Sequence, residues 1–130
     1  VEEVMKWKEK GEALLKSGDA REAYRAYAEA IYLTEKRNVG KALNDIDAWI
    51  EEIYENPEYD RESLGVMELI RNLYLHKAKI YGRIDHYTES QKALALAGYE
   101  YTGAGISSKI LRYIEEIEKR RNDTNLREKE

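Results

Sequence analysis

The chain of 130 residues contains no cysteine, which removes disulfide staples, thiolate nucleophiles and cysteine-ligated metal sites together. That absence also fits a reducing compartment. Phenylalanine is missing as well, so eleven tyrosines and two tryptophans supply the aromatic content, and their polar groups need partners wherever the rings are buried. Pro57 is the single proline, leaving most of the chain without a helix breaker. No stretch approaches the ~18 apolar residues of a membrane span, and Val1-Glu2-Glu3 does not open a signal peptide, so a soluble, cytoplasmic protein is expected. Catalytic signatures are missing too: there is no nucleophile elbow, no His-Glu-x-x-His, no Walker-type loop and no dinucleotide fingerprint. Gly103-Ala104-Gly105-Ile106-Ser107-Ser108-Lys109 imitates a phosphate loop but lacks the preceding strand and the required spacing. The expectation is a protein that is not an enzyme and carries no cofactor or metal.

What is present is helical periodicity. Apolar residues recur at spacings of three and four almost throughout, and nothing alternates with the period of two that a strand needs. The pattern predicts an all-α fold of about six helices in antiparallel hairpins, forming one domain over residues 1–121 with a polar tail at 122–130. Helix 1 is expected over Glu2 to Ser17, helix 2 over Ala20 to Arg37 and helix 3 over Lys41 to Glu55, where Asn56-Pro57 stops it. Helix 4 is expected from a cap at Asp60 to Tyr81, closed by Gly82, and helix 5 from Asp85 to about Gly98. A sixth displays Ile106, Ile110, Ile114 and Ile117. The many Glu, Lys and Arg, with one Gln and no Cys, also suit a thermophile.

Within helices 1 and 2, Trp7, Gly11 and Leu14 stand at spacings of four and three, Ser17-Gly18-Asp19 forms a turn, and Ala23, Tyr27 and Ala30 repeat the spacing. Two helices approach closely only where small residues lie between their axes, so Gly11 is expected to face Ala23 and Ala30, flanked by Trp7, Leu14 and Tyr27. Gly18 is placed to end helix 1 and Asp19 to cap helix 2. This register resembles one tetratricopeptide repeat, with Lys10 standing where the family has an apolar residue before the glycine. A weaker echo sets Tyr74 in the place of Trp7 and puts Ala78, Tyr81, Tyr87, Ser90, Leu94 and Ala97 on the matching landmarks. The intervening period is irregular: Asp45 falls on its small position and Pro57 on its helix-B alanine. The resemblance implies a short right-handed superhelix, with a compact bundle as the alternative. Helix 3 is then either an unpaired insertion before a helix 4–5 hairpin or a member of one of three stacked pairs. The first three helices also resemble the three-helix domain of microtubule-interacting and trafficking proteins.

The tetratricopeptide resemblance implies a protein-interaction adaptor that holds a peptide or a partner helix along the A helices. Carried over by register, the groove positions are Lys8, Glu12 and Lys16 on helix 1 and Asn72, His76, Lys79 and Arg83 on helix 4. The helix 4 set forms a polar stripe beside Tyr74 and Tyr81 that suits an acidic partner, with Arg83 able to hold a carboxylate. Glu12 stands where the chaperone-binding clamp needs Asn, which disfavours that ligand. A homo-oligomeric assembly and, less favoured, a nucleic-acid-binding basic face on helices 4 and 5 are the alternatives.

Charge is unevenly spread. Residues 41–62 hold eight acids against two bases, and residues 71–92 hold five bases against two acids. Mutual neutralisation of the two stretches inside the fold is the favoured meaning, with a charged partner as the other. His76 and His86 are read as surface histidines beside a turn, and the Asp47/Glu51 pair as a solvated acidic face rather than a cation site.

Overall fold

The computed structural model describes residues 2–100 and Lys119; among them there are helices and short connections and no strand. Five helices follow in order: α1 (Glu2–Lys16), α2 (Ala20–Glu35), α3 (Val39–Glu55), α4 (Leu64–Arg83) and α5 (Tyr87–Glu100). The sixth helix expected within residues 106–117, the loop at 103–109 and the tail at 122–130 lie outside the described residues. No helix among the described residues is long and apolar enough to cross a membrane.

The first hairpin forms because its turn is locally encoded. Gly18 adopts φ +88°, a conformation that costs a side-chain-bearing residue about 1 kcal/mol or more, and Asp19 accepts the Glu22 backbone N–H at 3.1 Å to cap α2. Where α1 and α2 meet, Gly11 lies directly beneath Tyr27. A Cβ there would sit 2.8 Å from the ring's Cδ2 and 3.3 Å from the Ala23 carbonyl oxygen. Tyr27 is therefore the residue Gly11 accommodates and not merely a flank, while Ala23 and Ala30 are fully buried in the same core.

The second hairpin joins α4 to α5; among the described residues α3 is the helix without a hairpin partner, and it packs against both α2 and α4. In the α4–α5 pair the buried Ser90 hydroxyl donates to the Ala78 carbonyl at 2.7 Å. Ala78 and Ser90 hold the register positions of Gly11 and Ala23, and each of these pairs is a contact between the two helices of its hairpin. Gly82 is buried against the same contact, with a Cβ position 3.8 Å from Ser90 Oγ.

Several boundaries differ from those read in the sequence. α4 begins at Leu64 behind a Ser63 cap whose hydroxyl accepts from the Val66 N–H, because the Asp60 carboxylate instead accepts from Glu62 N–H two residues on. α4 runs to Arg83; Gly82 stays helical, and Asp85 takes the left-handed conformation at φ 61°. α5 consequently starts at Tyr87, and α3 starts earlier than expected, at Val39, behind an Asn38 cap on Lys41 N–H.

The main core gathers Leu15, Tyr27, Ile31, Ile46, Trp49, Ile53, Leu69, Ile70 and Leu73 from the first four helices. Trp49 of α3 leans on Tyr27 with ring centroids 5.7 Å apart, tying α3 to the first hairpin. A smaller cluster of Leu75, Ala78, Ala93, Leu94 and Ala97 holds α5 on α4.

Candidate functional site

Helical packing sends the two stretches of candidate groove residues to different neighbours. On α1, Lys8 is nearly buried, 2.8 Å from Glu52 of α3, 3.5 Å from Glu12 and over the Trp49 ring. Burial desolvates its ammonium, yet Glu52 and Glu12 outweigh that effect and hold its pKa above the ordinary value. Lys16, at the far end of α1, lies 3.6 Å from Glu58 in the α3–α4 connection. Thus the α1 stripe faces the acidic stretch that follows it in sequence.

On α4, the stripe faces α2. His76 Nδ1 lies 3.3 Å from the Tyr24 hydroxyl, and the two rings meet edge to face. Burial pushes the His76 pKa down to about 4; Glu35 opposes the shift, and Arg83 and Lys79 add to it. His76 is consequently a neutral, largely enclosed imidazole and not a surface histidine, whereas His86 is exposed and stacks on Tyr81. Arg83 does grip a carboxylate as its chemistry suggests, but the carboxylate is Glu35 at 2.6 Å. Asn72 and Lys79 are half-buried on the same helix.

The charge asymmetry is partly resolved inside the fold. Lys77 of α4 donates to Asp47 of α3 at 2.6 Å, joining the basic and acidic stretches, but Glu52 and Glu58 are answered from α1. The acidic face of α3 is therefore shared between α1 and α4. Among the described residues no group of three or more His, Asp or Glu side chains is placed to hold a metal ion.

Sequence reasoning missed an apolar concavity among the described residues. Where the start of α1, the end of α2 and the start of α3 converge there is an open cleft of about 420 Å³. Its buried and half-buried lining is Val4, Leu33, Thr34, Asp45 and Trp49, joined by Met5, which is 44% exposed. The exposed members are Glu3, Lys36, Arg37, Asn38 and Lys41. Lys41 pairs with Asp45 at 3.3 Å and Lys36 lies over the Tyr32 ring, while Arg37 forms no ion pair among the described residues. The signal was faint in the sequence, because Asn38-Val39-Gly40 reads only as a helix stop.

No protein-family model matches the chain, and no curated protein or solved structure matches it.

Proposed function

We propose that this chain is a non-enzymatic interaction module, built of tetratricopeptide-like hairpins, that holds a peptide or a partner helix in the cleft between α1, α2 and α3. The observation that carries the reading is the cleft itself: about 420 Å³ lined by Val4, Met5, Leu33 and Trp49 with exposed cations beside it. That volume lies within the ~300–1,000 Å³ of clefts that receive ligands, and apolar lining with a few polar groups is the usual composition. Support for the repeat reading comes from the matching close contacts, Gly11 with Tyr27 and Ala23 in one hairpin and Ala78 with Ser90 in the other.

The α4 stripe receives less support as the docking surface, since Arg83 is engaged by Glu35 and His76 by Tyr24. The same pairing, with Lys77 on Asp47, weakens the nucleic-acid alternative, which needs cations open to phosphate. A homo-oligomer draws on exposed Tyr32, Leu64 and Leu96, but apolar side chains scattered singly are normal on a monomer.

Affinity capture from the native extract with the wild-type chain, Leu33→Arg and the pair Lys79→Glu/Arg83→Glu separates the two surfaces. A partner retained by the wild type and the α4 pair but lost with Leu33→Arg is expected. Loss with the α4 pair alone would transfer the docking surface to α4.

A further inference from the structure

We infer that the α1–α2–α3 cleft selects a short acidic peptide segment, placing one bulky apolar side chain against Leu33 and Trp49 and an adjacent carboxylate beside Arg37. This rests on the cleft being the docking surface, and it narrows the occupant. The size of the space comes first. An opening of about 420 Å³ lined by Val4, Met5, Leu33 and Trp49 has room for one or two large apolar side chains.

The charge at the cleft supplies the second argument. Lys41 is answered by Asp45, which leaves Lys36 and Arg37 against Glu3 among the charged lining residues, a local excess of positive charge on a chain whose net charge is −4. Because charges further than about 8 Å apart are largely screened at physiological ionic strength, the local sign governs recognition and the net charge does not. The first turn of α3 adds to the same sign. It carries no acidic side chain. Arg37 is the cation best suited to the carboxylate, because it forms no ion pair among the described residues and its planar guanidinium matches carboxylate geometry.

The test uses the full ¹⁵N-labelled chain and blocked hexapeptides, acetylated and amidated so that no terminal charge contributes. One set carries Leu, Met, Tyr or Trp beside Glu, a second replaces the Glu by Gln, and a third replaces the apolar residue by Ser. The first set is expected to shift the amides of residues 33–40 and the Trp49 indole N–H, with the other two binding at least tenfold more weakly. Arg37→Glu is expected to weaken the first set at least tenfold, and Arg37→Gln less. Equal binding of the Gln peptides, or indifference to Arg37→Glu, would overturn acid selection while leaving the cleft as a docking surface. Shifts centred on residues 72–83, or none with any peptide, overturn the proposal, and the Leu33→Arg capture then decides separately whether the cleft docks anything.

Discussion

His76 shows how far one side chain can depart from the reading its sequence neighbours suggest. Beside a predicted turn it reads as a solvated imidazole; in the fold it sits between α4 and α2 with Tyr24 on its Nδ1, and its pKa falls to about 4. A folded value below the ordinary 6.5 means that the unfolded chain takes up the proton first. The stability contributed by keeping this ring neutral is therefore complete above about pH 6.5 and lost progressively as the pH falls toward 4. Between pH 7.5 and pH 5 the loss should be about 2 kcal/mol. Urea unfolding at the two pH values measures it, and His76→Gln should flatten the difference while carboxylate titration persists. An unchanged pH dependence in that variant would mean that the ring is far better hydrated than its surroundings imply.

At the scale of the element, the α1–α2 contact sets two effects against each other at Gly11. Alanine favours a helix interior by about 1 kcal/mol over glycine. Against this, the added Cβ would lie 2.8 Å from the ring of Tyr27, which is 2% exposed and has no room to swing away. Overpacking of that kind costs roughly 1–3 kcal/mol, so Gly11→Ala should be destabilising by about 1 kcal/mol despite its better propensity. The urea midpoint should fall with an unchanged slope; a midpoint at or above the wild type would show that the hairpin tolerates a wider spacing. The helix ends follow local rules: Asp19, Asn38 and Ser63 each accept from a backbone N–H three residues on. Asp60 was the misleading cap, since an aspartate before a helix can equally close a turn of its own.

Across the whole molecule, stability should be unevenly distributed. The core shared by α1 to α4 contains large side chains such as Tyr27, Trp49 and Leu69, whereas the cluster holding α5 to α4 is mostly alanine with Leu75 and Leu94. Small side chains bury little apolar area, so α5 should open before the rest. In native-state hydrogen exchange, α5 amides are expected to exchange through a sub-global opening and those of α2 and α3 only through global unfolding. Leu94→Ala should accelerate α5 exchange and leave α2 nearly unchanged; equal acceleration in both would join α5 to the main cooperative unit.

The sequence by itself determined the helical class, the Gly18-Asp19 turn and the stop at Asn56-Pro57. Those features depend on residues within about one helical turn of one another, where backbone sterics, capping and a 3.6-residue period act directly. Tertiary structure alone decided which charges meet and what lies under a ring. Lys8 finds Glu52 and Arg83 finds Glu35 because of the directions in which α1, α3 and α4 cross α2, and no local pattern encodes those directions. The α1–α2–α3 cleft belongs to the same class: its lining comes from the ends of three helices, and its unfilled space is created by how they converge.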